Sequence, residues 1–241
     1  MNTRTKKQVL KMFKLKMKQP ERSMVVLIGV GMILFVIFKL QKYTAQDIGV
    51  VPGKDMQVIS KTGAWQNIKF THLIDNKFGS SLVLILKQYN ISSITDLGCG
   101  TGAYIRMIED NKIKTQGFDG NPETNKWDVS GGLCKGPVDI TQKKFWEVTD
   151  AAMSIEVAEH IPAEYEGAFI NNLVSSARHL IFLSWGVPGQ GGEGHVNGKW
   201  GSDVVQIMNQ KGWKKNEILT RLLQIEAEFD WLKKNVQVFD K

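Results

Sequence analysis

Three glycines fall within five positions in "ITDLGCGTG" (residues 94–102), directly behind a short apolar run, and this stretch restricts the fold more than any other. An apolar run that ends in such a turn and continues into "AYIRMIEDN" (103–111) reads as strand, tight turn and helix. Glycine lets the main chain turn sharply and approach a ligand with no side chain in the way. The helix N-terminus that follows offers N–H groups to a polar or anionic group. Dinucleotides favour G-x-G-x-x-G, where bare backbone meets a pyrophosphate. Here Gly98, Gly100 and Gly102 give G-x-G-x-G, with Asp96 ahead of them. A carboxylate at that place repels a pyrophosphate and suits a cation, such as the amino group of an amino-acid moiety.

From about residue 65 the chain alternates between strand-like and helix-like segments. "SLVLILKQY" (81–89) reads as a helix leading into the strand "SITDL" (93–97). "KTQGFD" (114–119) is a second strand ending in an acid, and a short third strand is expected near Val138, before Asp139. "AAMSIEV" (151–157) and "HLIFLSW" (179–185) are further strands, separated by the helical "AEYEGAFINNLVSSA". Helices are expected around 202–211 and 218–234, and "NVQVFD" closes the chain as a strand. This alternation predicts an α/β fold, a mostly parallel Rossmann-like sheet with helices on both faces. Ligands of such sheets bind beyond the carboxyl ends of the strands, where the glycine turn lies.

The front of the chain is of another kind. "MVVLIGVGMILFVIF" (24–38) carries no charge. Extended to Leu40 with Lys39 snorkelling, it gives seventeen residues, about 26 Å of helix. A core helix would show a polar face and a signal peptide would show a cleavage site, and this segment has neither. The expected organisation is a basic cytosolic tail (1–23), a transmembrane helix (24–40), a stalk (41–64) and a folded domain (65–241). Eight Lys/Arg residues precede the apolar segment, and the positive-inside rule would send the domain away from the cytosol; the alternative, that the rule fails here, stays open.

The net charge of +7 belongs to that tail, where eight cations face only Glu21. The remainder holds 23 cations and 23 anions, so charge indicates no nucleic-acid surface on the domain. Cys99 and Cys134 are the only cysteines and fit no zinc spacing. Cys99, wedged between glycines, reads as a poor site for a structural disulfide.

"DLGCGTG" resembles the first motif of class I S-adenosylmethionine (SAM) methyltransferases, and the resemblance extends over roughly residues 80–241. It implies a SAM site formed by Asp96, Gly98, Cys99, Gly100 and Gly102 at the turn. Asp119, followed by Gly120 and Asn121, would receive the ribose hydroxyls, and Asp139 with Ile140 would lie near the adenine. Glu156, at the end of the fourth strand, belongs to the same expected site.

"SIEVAEHIP" spaces Glu156, Glu159 and His160 as E-x-x-E-H, close together if a helical turn begins there. The spelling is similar to that of ubiquinone-biosynthesis O-methyltransferases and small-RNA 2′-O-methyltransferases. In the latter the two glutamates and the histidine bind a divalent ion, with another histidine from a later loop. Here "SWGVPGQGGEGHVNGKW" supplies His195, and Trp185 beside it is a candidate pocket wall. Two carboxylates and two imidazoles suit Mg²⁺, Mn²⁺ or Fe²⁺ better than a structural zinc. Two other roles stay open for His160, that of a metal-free general base or a structural one. The resulting expectation is a membrane-anchored O-methyltransferase acting on a hydroxyl of a small molecule, sugar or lipid-linked acceptor. The alternatives are an RNA 2′-O-methyltransferase and a SAM-fold scaffold without catalysis.

Overall fold

The third expected strand lies slightly earlier than the sequence suggests, and its place explains the sheet. The computed structural model describes residues 59–66, 73–142 and 147–241. The expected tail (1–23), membrane span (24–40) and most of the stalk lie outside these residues. Among the described residues no helix is long and apolar enough to cross a membrane.

Helix α1 (Asn76–Gln88) precedes β1 (Ser93–Leu97), α2 (Ala103–Asp110), β2 (Lys114–Phe118), the short α3 (Thr124–Trp127) and β3 (Cys134–Lys135). Then come β4 (Thr149–Ser154), a 3₁₀ turn (Ala158–His160), α4 (Ala163–Ser175) and β5 (Ala177–Leu183). The chain finishes with α5 (Gly201–Gln210), β6 (Lys214–Lys215), α6 (Glu217–Glu226), α7 (Asp230–Asn235) and β7 (Gln237–Asp240). The seven strands order as β3-β2-β1-β4-β5-β7-β6. The first five pair in parallel, and β7 runs antiparallel to both β5 and β6.

In β1 every residue after Ser93 is buried, as expected of a strand with helices on both faces. Leu97, Ala152, Ile181 and Leu183 meet Phe169 of α4, Trp213 and Phe239 in one core. The registers Leu97↔Phe118 and Asp96↔Met153 align the carboxyl ends of β2, β1 and β4. The loops leaving those ends therefore share one edge of the sheet, where the topology changes direction.

The helix expected over 218–234 is two helices. Asp75, fully buried, caps α1 by accepting from Phe78 N at 2.9 Å, and its other oxygen accepts from Glu228 N (2.6 Å) and Phe229 N (2.9 Å). Those two N–H groups are drawn out of a helical ladder, so α6 ends and α7 starts afresh. Hydrogen bonds to a charged group contribute about 1.5–3 kcal/mol each, enough to fix the break.

The expected boundary at residue 65 also moves. Ile59 and Trp65 form an antiparallel bridge, and a Cβ on Gly63 would strike the His160 carbonyl. The last residues assigned to the stalk thus lie on the domain.

Candidate active site

At the carboxyl end of β1, Gly98, Gly100 and Gly102 take φ of 93°, 54° and 74°, left-handed values that L side chains rarely adopt. A Cβ on Gly98 would strike Val157, and one on Gly102 would strike Asp128. The turn is therefore bare by necessity. Asp119, just past β2, holds it in shape: its Oδ2 accepts from Gly100 N at 2.8 Å and its Oδ1 from Asn121 N at 2.8 Å. Carboxylate oxygens offer about four acceptor positions, so two remain for ligand hydroxyls.

Gly98, Cys99, Gly100, Asp119, Gly120, Asp139, Ile140 and Glu156 all line one cavity of about 750 Å³. Gly102 caps α2 instead. Asn121 shapes a turn, accepting from Glu123 N at 2.8 Å. Asp96 differs most from expectation. It is 5 % exposed within β1 and lies outside the cavity lining. Burial, reinforced by the negative charge of Asp119, raises its pKa well above the usual carboxylate range.

Cys99 and Cys134 form a disulfide, contrary to the reading of Cys99 as a poor site for one. Their Cα atoms lie 5.9 Å apart, in the ordinary range. The register Gly117↔Cys134 brings β3 alongside, and Gly117 leaves the room that Cys99 occupies. Val129 N also donates to Thr101 O at 2.9 Å, so the segment before β3 straps the glycine turn.

The E-x-x-E-H group divides. Glu156 has φ of 59° and faces Ser184, whose Oγ accepts from Glu156 N (2.6 Å) and donates to its Oε1 (2.7 Å). Beyond it the 3₁₀ turn carries Glu159 and His160 toward His195. Ligand atoms of Glu159, His160 and His195 lie within 4.8 Å of one another, and Glu156 stands outside this cluster. The expected four-residue metal set is therefore a set of three.

Glu159 is fully buried, and neither carboxylate oxygen has a hydrogen-bond partner of proper geometry. Burial, helped by the charge of Glu156, pushes its pKa up to about 8, against a weaker opposing pull from the N–H groups of Glu159 and Gly186. Burial lowers the pKa of His195. Their 3.9 Å approach is therefore not an ion pair, since both groups favour their neutral forms. An orphaned buried carboxylate is costly, and a divalent cation would relieve it. The donor set of one carboxylate and two imidazoles fits such an ion.

Main-chain bonds hold the cluster. His160 Nδ1 meets the Gly194 carbonyl at 3.1 Å, so Nδ1 donates and Nε2 is the basic nitrogen. The Glu159 carbonyl accepts from Val196 N and Asn197 N, both at 3.0 Å, which joins the two loops. A Cβ on Gly192 would enter the His195 ring. Asn197 and Trp185 brace this loop rather than line the cavity: Asn197 donates to Glu166 Oε2 at 2.8 Å, and Trp185 Nε1 donates to the Asn197 carbonyl at 2.6 Å.

The sequence reading missed the far wall, made by Trp65, Leu73, Ile74 and the α7 residues Phe229, Trp231 and Leu232. An aromatic pair next to a break in an amphipathic helix was the available signal.

No family model matches this chain, and no curated protein matches it. Solved structures do. CalS10, an amino pentose methyltransferase from Micromonospora echinaspora described with SAM bound, matches at TM-score 0.55 and 11 % identity, over 72 % of this chain and 98 % of its own. KedS8, a sugar N-methyltransferase from Streptoalloteichus sp., matches at TM-score 0.54 and 10 % identity, over 78 % and 99 %. The methyltransferase domain of the bacterial CtHen1 matches at TM-score 0.52 and 17 % identity, over 68 % and 95 %. The fold is that of the class I SAM-dependent methyltransferases.

Proposed function

We propose that this chain is a SAM-dependent O-methyltransferase, assisted by a divalent ion, anchored in a membrane by its N-terminal segment and acting outside the cytosol. One observation carries the reading: the Asp119-braced glycine turn and the Glu159–His160–His195 cluster open into the same cavity. The turn and Asp119 suit the amino-acid and ribose portions of SAM, and Asp139 with Ile140, which line the same cavity, would meet the adenine. Glu159, His160 and His195 would hold the ion, which supplies positive charge that lowers the pKa of an acceptor hydroxyl. Because His160 Nδ1 donates to the Gly194 carbonyl, its Nε2 would be the ligand atom, and the hydroxyl proton would leave to solvent. The acceptor class is a hydroxyl of a small molecule, sugar or lipid-linked compound.

Calorimetric titration of the full-length protein in detergent with SAM, with and without Mn²⁺, tests this. Micromolar SAM binding and a separate Mn²⁺ signal are expected. Absence of SAM binding rejects catalysis and leaves a scaffold; SAM binding with activity undiminished in EDTA rejects the ion.

The compartment rests on two independent features. The basic flank before residue 24 directs the domain away from the cytosol, and the Cys99–Cys134 disulfide belongs to an oxidising compartment. In sealed microsomes the domain should resist added protease, and non-reducing peptide mapping should recover the linked Cys99 and Cys134 peptides. Cleavage of the domain without detergent would place it in the cytosol. Because the disulfide restrains the glycine turn, Cys134→Ser should weaken SAM binding about five- to thirtyfold. That is the cost of ordering one further residue, roughly 1–2 kcal/mol.

A further inference from the structure

The wall formed by Trp65, Leu73, Ile74, Phe229, Trp231 and Leu232 lies outside the glycine turn and the Asp119 and Asp139 loops. The strand order assigns it a role. The glycine turn and Asp119 occupy the β1–β2 side of the cavity, and α7 leads into β7, which pairs with β5 on the opposite side. A methyl acceptor would take the part of the cavity beyond the glycine turn and Asp119. Phe229 and Trp231 are stacked there with ring centroids 4.7 Å apart and planes 30° apart. Trp65 presents its ring to His160 at 5.2 Å, and His160 in turn meets His195 at 4.9 Å. A hydroxyl placed at the two histidines therefore has aromatic faces around the rest of its molecule.

The polar side chains lining this part of the cavity are few and mostly paired or solvent-exposed. Gln190 accepts from Asn235 Nδ2 at 2.7 Å, which also ties the His195 loop to α7. Asp230 pairs with Lys233 at 2.9 Å, and Glu193 and Lys234 are exposed. A sugar needs several inward donors and acceptors, and this wall offers few. We propose that the acceptor is an aromatic hydroxyl compound, a flat ring laid against Phe229–Trp231 with its O–H directed at His160 and His195. This rests on the methyl-transfer reading above. A phenol, with a pKa near 10, gives up its proton far more readily than an aliphatic alcohol. The phenolic oxygen loses its proton to water and forms the O–CH₃ bond. The S–CH₃ bond breaks, and its electron pair stays on sulfur, leaving an aryl methyl ether and S-adenosylhomocysteine.

The test uses full-length protein in nanodiscs with Mn²⁺ and SAM, and two probes, 2-naphthol and methyl α-D-glucopyranoside. 2-Naphthol should quench tryptophan fluorescence saturably and accept the methyl group, and the glycoside should do neither. Trp231→Leu, which keeps an apolar filler and removes the ring, should weaken 2-naphthol binding about five- to tenfold and leave SAM affinity unchanged. Phe229→Leu repeats the test at the partner ring. SAM binding without saturable 2-naphthol binding overturns the inference, as does methylation of the glycoside alone, and in both cases the methyl-transfer reading stands. Absence of SAM binding removes that reading and the inference with it.

Discussion

Asp119→Ala should reduce SAM affinity by roughly two orders of magnitude, measured by calorimetry on the full-length protein. Two of the four acceptor positions on the carboxylate already hold the turn, through Gly100 N and Asn121 N. The other two face the cavity and suit the two ribose hydroxyls. Each hydrogen bond to a charged group contributes about 1.5–3 kcal/mol, so losing a pair costs about 3 kcal/mol or more, and a tenfold change corresponds to about 1.4 kcal/mol. Asp119→Asn keeps the volume and one acceptor oxygen but sets its NH₂ against Gly100 N or Asn121 N, so its affinity should fall as well. Circular dichroism and the thermal midpoint separate this loss from unfolding. Unchanged affinity in a folded Asp119→Ala protein would reject the cofactor assignment.

Asp119 was legible because the signal is local: a strand ends in an acid about twenty residues after a glycine turn, and the register of neighbouring strands does the rest. The parallel sheet was legible for the same reason. What escaped depends on distant partners. The break between α6 and α7 is caused by Asp75, 153 residues before Glu228, and no periodicity within 218–234 records it. The Cys99–Cys134 bond needs the β2–β3 register, and a two-residue strand gives too little pattern to set it. Asp96 looked like a ligand group because its spacing from the glycines is right; the burial of its strand from both sides decides otherwise. E-x-x-E-H spacing on a regular helix would have gathered both glutamates. The left-handed φ of Glu156 and the 3₁₀ turn after it place only Glu159 with the histidines.

That separation gives the metal reading its sharpest consequence. Without an ion, Glu159 holds its proton up to a pKa of about 8, against an ordinary value of 4.5. Mn²⁺ requires the carboxylate, so binding below pH 8 must expel one proton. Affinity should therefore rise about tenfold per pH unit between pH 6 and 7.5, then level off above about 8. Burial lowers the pKa of His195, which reduces what that ring adds to the slope. Calorimetry in two buffers of different ionisation enthalpy counts the proton directly. The stability of the metal-free domain should run the other way. A carboxyl whose folded pKa lies above its unfolded one contributes fully below pH 4.5, and that contribution is lost as pH rises towards and through about 8. Glu159→Gln removes the titrating group: Mn²⁺ affinity should fall at least a hundredfold and lose its pH slope, and methyl transfer should fall with it. The metal-free variant should also lose less stability between pH 5 and 8, though Glu156, whose pKa burial also raises, keeps some of that slope. Wild-type Mn²⁺ binding that is independent of pH would mean that Glu159 is not a ligand, and the cluster would then be a histidine-based proton acceptor without an ion.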